Sequence, residues 1–230
     1  MNLKNSYRSA LILLVLGIPS LCSSSELLIF DNDNLIALES NGQLYGYYGA
    51  VEKNKSCMFL FVGHSLSVED VGATPMIEKI KTFGFELGKY SYIDRYKPAD
   101  IDGTITITGG EWIVQTEEEP PGCGGSVGVF HSSPFNSHQF RYNVTTKISA
   151  LSIRIATKKS SFFKRKNKLL LKTKSYITEG DVVAVLKQEG GFSYIRYTDP
   201  DYFTPISQRV TTGWIRTSDL EDPFPPSQKQ

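Results

Sequence analysis

Three cysteines and three histidines are the side chains of this sequence best suited to chemistry: Cys22, Cys57, Cys123, His64, His131 and His138. Cys123, His131 and His138 fall in one stretch, CGGSVGVFHSSPFNSH. A thiol beside an imidazole has the composition of a nucleophile and its base. Such a nucleophile usually opens a helix and takes its base from a distant strand. Here both histidines follow within a short loop rich in Ser, Pro and Asn. Zinc is the other chemistry these types offer, but structural zinc sites use compact Cys or His pairs, and none is present. Asp31-Asn32-Asp33-Asn34 has the acidic start of a calcium loop without its Gly and distal Glu, which makes it a polar turn. Phosphate loops, dinucleotide fingerprints and serine elbows are absent from the sequence. No catalytic residue, metal or cofactor is expected.

The start of the chain decides how the cysteines are read. Residues 1–25 have the form of a secretory signal peptide: Lys4 and Arg8, then the apolar run Ala10–Ile18, then small residues from Ser20 to Ser25. That run is too short for a membrane span, which needs roughly 20 apolar residues. Cleavage is expected after Cys22 or after Ser25. Lipidation of Cys22 is an alternative, against which Leu21 stands where such signals carry a small residue. The expected location is the periplasm or the outside of the cell, as an outer-membrane lipoprotein if Cys22 is acylated. With Cys22 removed, Cys57 and Cys123 are the remaining pair, and two thiols in an exported chain read as a disulfide. The formal charge of +1 includes Lys4 and Arg8; without the signal, which has no acidic residue, it is −1. A nearly neutral chain has no global bias toward nucleic acid.

The remainder patterns as all-β. Strand-like runs occur at 26–30, 34–40 and 43–51, the last two flanking Asn41-Gly42, a strong hairpin signal. Residues 56–62 form a continuous apolar run, which suggests a strand buried on both faces. Residues 74–83 fit a helix or a strand equally. Gly109-Gly110 separates a second hairpin, 104–108 and 111–116, and 116–125 is a loop punctuated by Pro and Gly. Runs at 126–130, 139–144 and 151–156 complete the pattern. These features predict an N-terminal antiparallel β-domain, a meander or sandwich, over 26–147, a second module over 148–220, and a frayed Pro-rich tail over 221–230.

The second module has the most regular pattern. Gly180-Asp181 signals a turn, 182–186 is a β-branched run, Gly190-Gly191 reverses the chain, and Phe192, Tyr194 and Arg196 share one face of the next strand. Gly213-Trp214-Ile215 begins a third strand and Leu220 closes the module. Before these strands lie Lys158, Lys159, Lys164, Arg165, Lys166, Lys168, Lys172 and Lys174, with no acidic residue among them. That run reads as a solvated loop with Phe162 and Phe163 packed on the module's side, or as an attractant for an anionic partner.

The order GDVVAVL, FSYIRY, GWIRTSDL resembles the bacterial SH3-type (SH3b) domain, although Phe192 stands where that family often has Trp, and segment 198–211 is longer than its usual loop. The resemblance implies a small β-barrel that binds and does not catalyse. The first part, NLIALESNGQLYGYYGAVE, SCMFLFVG, TITITGGEWIV, resembles β-rich domains that precede SH3-like domains in exported bacterial proteins. The SH3-type likeness makes Tyr194, Tyr197, Tyr202, Phe203 and Trp214 the candidate ligand-binding residues, because such barrels present aromatics in a groove suited to extended peptides. Trp214 can equally be core. The resulting expectation is an exported, non-enzymatic binding protein of the envelope, with a cell-wall polymer, protein or peptide as partner. A periplasmic immunity or inhibitor protein is the alternative, followed by a papain-like wall hydrolase using Cys123. Mass spectrometry of the mature protein should find an exported chain beginning near Ser23 or Glu26; a mature chain that keeps Met1 would contradict the signal.

Overall fold

The computed structural model describes residues 25–65, 75–131, 141–201, 204 and 209–226. The signal segment, Cys22, His138, Tyr202 and Phe203 lie outside the described residues. The protein is all-β. Among the described residues, no helix is long and apolar enough to cross a membrane.

Eight strands form the first unit: β1 (Glu26–Phe30), β2 (Leu35–Ser40), β3 (Gln43–Glu52), β4 (Lys55–His64), β5 (Met76–Phe83), β6 (Ile101–Thr108), β7 (Glu111–Thr116) and β8 (Tyr142–Ser149). They pair antiparallel in chain order, and β8 returns to β1, so the meander closes into a barrel. Asn41 and Gly42 turn between β2 and β3 with φ of 51° and 72°. Both values lie in the left-handed region, which a two-residue hairpin turn of this hand demands and which Asn and Gly tolerate best. Residues 76–83, which fit either period, are a strand because β5 is sandwiched between β4 and β6. Residues 126–130 differ from expectation. Gly125–Val127 is a 3-10 turn inside a Gly-rich loop that folds over the barrel end, inserting Val127 and Phe130 into the core. Gly124, Gly125 and Gly128 all have positive φ there, a conformation no strand can use.

The second unit is a curled sheet of β9 (Ser152–Ala156), β10 (Ser160–Lys166), β11 (Leu169–Ile177), β12 (Val182–Glu189), β13 (Phe192–Thr198), β14 (Val210–Arg216) and β15 (Leu220–Glu221), in the order β11-β10-β14-β13-β12-β9-β15. The basic run is not the loop expected from its charge. It is the hairpin β10–β11, reversed tightly at Asn167, which takes φ +56°. Charge density suggested a loop, but paired strands leave alternate side chains in water, so a hairpin carries the same lysines without burying them.

Three apolar layers result. The barrel interior is filled by Leu28, Phe30, Leu35, Tyr48, Phe59, Phe61, Trp112, Phe130, Tyr142 and their neighbours. The curled sheet encloses a smaller core of Phe162, Ile177, Val183, Val185, Ile195 and Ile215. Between them lies a third layer. Leu27, Ile36, Leu38, Leu60 and Phe83 on the outside of the barrel meet Ile153, Ile155, Val182 and Ala184 of the sheet. The alternation of a strand explains this layer. In β4, Phe59 and Phe61 point into the barrel while Leu60 points into the shared layer. In β12, Val183 and Val185 point into the sheet's own core while Val182 and Ala184 face the barrel.

Polar contacts hold the junction and tie the ends of each unit. Asp33, in the acidic turn read from the sequence, pairs with Arg196 of β13 at 3.1 Å, with both side chains about nine-tenths buried. Asp31 of that turn accepts from the backbone and side-chain amides of Asn143, each at 2.9 Å. Tyr90 donates to Glu179 at 2.9 Å, and Val51 N–H donates to the Pro200 carbonyl at 2.8 Å. Asp219 ties the end of the sheet to its start, accepting from Ser160 Oγ at 2.8 Å. Burial opposes its ionisation, but hydrogen bonds from Ser160 and Lys158 outweigh that and keep its carboxyl below the ordinary aspartate value.

The C-terminal segment also departs from expectation. β15 pairs with β9, and Phe224 is buried in the shared layer, its ring 5.0 Å from that of Tyr45 and 6.1 Å from that of Phe83. A Pro-rich composition suggests fraying, but the pairing of β15 and the buried ring of Phe224 hold residues 220–224 against the protein. Phe224→Ala should cost about 3 kcal/mol of stability, measured by urea unfolding. A variant as stable as the parent would show that the ring contributes nothing to the junction.

Candidate ligand-binding face

The strand register of the curled sheet creates a row of side chains on its outer face. Lys187, Tyr194, Trp214, Phe163 and Lys172 stand directly opposite one another across β12, β13, β14, β10 and β11. Facing residues in adjacent strands project to the same side, so the row is continuous. The rings of Tyr194 and Trp214 are 5.3 Å apart, and those of Phe163 and Phe192 are 5.2 Å apart. Cations frame the row: Arg165 lies 4.6 Å from the Trp214 ring, and Lys187 lies 5.2 Å from it. Such cation–π contacts are worth roughly 0.5–1 kcal/mol at exposed sites. Arg165 is further held by Glu189 at 3.0 Å.

The candidate aromatic residues do not form one surface. Tyr194 and Trp214 belong to the outer row. Trp214 is only 4 % exposed, covered by its neighbours, so it supports the row more than it offers a surface. Tyr197 points the other way, against the sheet's core, because its position in β13 alternates with Tyr194. Its hydroxyl donates to Asp181 at 3.3 Å. Burial pushes that hydroxyl well above the ordinary tyrosine value, and the carboxylates of Asp181 and Asp199 add to the effect. Burial likewise raises the carboxyl of Asp181, although Thr178 donates to it through N–H and hydroxyl. Tyr197 is therefore a structural residue, and the expected single groove resolves into an outer row plus an inward tyrosine.

Cys57 and Cys123 are joined as a disulfide, with Cα atoms 4.4 Å apart. The bond fastens the 117–131 loop to β4. The sulfur of Cys123 is thus committed to Cys57 rather than free as a nucleophile. His131 Nδ1 lies 3.3 Å from the Thr116 carbonyl, and His64 Nδ1 lies 3.1 Å from Gln43 Nε2, so these two histidines serve different strands. Among the described residues, no three His, Cys, Asp or Glu side chains are grouped to hold a metal ion.

A second feature escaped sequence reasoning. β5 ends at Phe83, opposite Leu60, so the Lys55–Phe59 end of β4 has no β5 neighbour. An apolar cleft of about 330 Å³ opens there, lined by Met58, Phe83, Phe85, Tyr96, Pro120 and Pro121 among others. Its size is within the range of ligand pockets. The segment beside it is self-supporting: Arg95 stacks 3.6 Å over Tyr92 and pairs with Asp100 at 2.8 Å. The only sequence signal was the irregular aromatic run after β5, which has no period to read.

The chain matches no protein-family model, no curated protein and no solved structure.

The disulfide closes a sequence separation of 66 residues. A loop of that size is worth about 4 kcal/mol through the unfolded state. The double variant Cys57→Ala/Cys123→Ala should lose stability of that order in urea unfolding, as should the reduced parent. Equal stability with and without the bond would contradict this assignment.

Proposed function

We propose that this is an exported, non-enzymatic binding protein of the bacterial envelope, whose C-terminal sheet is an SH3-like module that binds cell wall or a protein partner. The observation that carries the reading is the outer aromatic row, Tyr194 and Phe163 over Trp214, framed by Lys187 and Arg165. Aromatic side chains packed on a rigid sheet lose little conformational entropy on binding, and flanking cations suit a ligand that carries carboxylates. The SH3-like reading is supported by the β12–β13 hairpin, the aromatic strand β13, Gly213-Trp214-Ile215 within β14, and Leu220 closing onto β9. The bond between Cys57 and Cys123 favours this reading over a thiol hydrolase. An immunity or inhibitor role would use the same non-catalytic chemistry with a toxin or hydrolase as partner.

Apolar contact supplies most of the affinity in such a face, while charge mainly speeds encounter. Tyr194→Ala should weaken binding roughly tenfold or more, whereas Lys187→Gln should mainly slow association. Titration against purified wall fragments, alongside a pull-down of envelope proteins, measures both. Recovery of a single hydrolase or toxin would turn the reading to the inhibitor class. Parent-like binding by Tyr194→Ala would remove this face from the function.

A further inference from the structure

The hairpin β10–β11 grows past the core that supports its base. At the base, Phe162 and Ile177 are buried in the curled sheet. Toward the tip, the same face of the hairpin continues as Lys164 opposite Leu171 and Lys166 opposite Leu169, with Asn167 and Lys168 at the turn. Among the described residues nothing covers this face: Leu169 is 67 % exposed and Leu171 47 %. The other face is already used, since Arg165 is spent on Trp214 and Glu189.

The charges at the tip are equally unspent. Of the eight cations in the basic run, Lys158 pairs with Asp219 and Arg165 with Glu189. Lys164, Lys166, Lys168, Lys172 and Lys174 have no acidic partner among the described residues, and residues 158–178 contain no Asp or Glu. Lysines on an edge strand also discourage unwanted strand pairing. That accounts for the charge of β11. It does not account for two leucines left in water beside the charge, at the point of the hairpin furthest from the core.

We propose that the β10–β11 tip docks on an anionic phospholipid surface. Leu169 and Leu171 enter the headgroup boundary, where apolar side chains gain from leaving water. Lys164, Lys166 and Lys168 stay at the level of the phosphates, their stems lying along the leucines. Each lysine near such a surface contributes a few-fold in affinity, and the contribution fades with salt because the field decays within a Debye length. The combination sets a lipid surface apart from a soluble polyanion, which would reward the lysines and ignore the leucines. The outer aromatic row remains open in this docking, because it lies on the opposite face of the hairpin.

Co-sedimentation of the mature protein with vesicles tests this, using phosphatidylcholine alone and phosphatidylcholine mixed with phosphatidylglycerol. Binding is expected to the mixed vesicles, to weaken with added salt, and to be absent with phosphatidylcholine alone. Leu169→Ser/Leu171→Ser and Lys166→Gln/Lys168→Gln should each lower it roughly tenfold or more, with unfolding midpoints unchanged because the tip lies beyond the core. Absence of binding to the mixed vesicles would overturn the proposal. So would equal binding to both vesicle types. Loss of binding in the lysine variant alone, with the leucine variant like the parent, would also overturn it, assigning the tip to a soluble anionic polymer.

Discussion

The apolar layer between barrel and sheet is the constraint on which the rest of this structure depends. Strands of the barrel wall and of the sheet facing it bury side chains on both faces. Leu60 cannot leave the shared layer without exposing itself, and it cannot move without disturbing Phe59 and Phe61, which fill the barrel. Val182 and Val183 bind the sheet in the same way. The two units are therefore joined by strands that each pack a core on one face and the shared layer on the other. The buried pair of Asp33 and Arg196 fits this picture. Breaking one member of such a pair is costly because the other charge stays buried, so it fixes the alignment of the two units more than it adds net stability.

This arrangement distributes exposure. The barrel interior is packed with aromatic side chains, so it is a core and not a ligand cavity. One face of the sheet is consumed by its own core and part of its wall by the barrel. Among the described residues, the surfaces open to partners include the outer aromatic row, the tip of the β10–β11 hairpin, and the cleft beyond the end of β5. Each follows from a local feature of the strands: rings on the outer face of the sheet, a hairpin longer than its support, and a strand that ends short of its neighbour.

The fold class was legible because it rests on short-range signals. Asn41-Gly42 and Gly109-Gly110 mark hairpins through backbone conformation, and the apolar run around Leu60 marked a strand buried twice. The partner for its second face was not legible, because the sequence carries no sign of which distant strand will cover it. The basic run misled because charge reports solvent contact, not backbone shape, and β10–β11 satisfies both. Phe224 misled in the opposite sense, one buried ring outweighing a Pro-rich surrounding. Of the aromatic candidates, alternation placed Tyr194 on the face of Phe192; the separation of Tyr197 from it follows from the same alternation. The cleft had no periodic signature at all.

If the middle layer welds the two units, they cannot unfold independently, since losing either one exposes the outer side chains of the other. Differential scanning calorimetry of the oxidised protein measures this directly. The account predicts one transition whose calorimetric and van't Hoff enthalpies agree. Two separable transitions, with the barrel melting apart from the curled sheet, would contradict it.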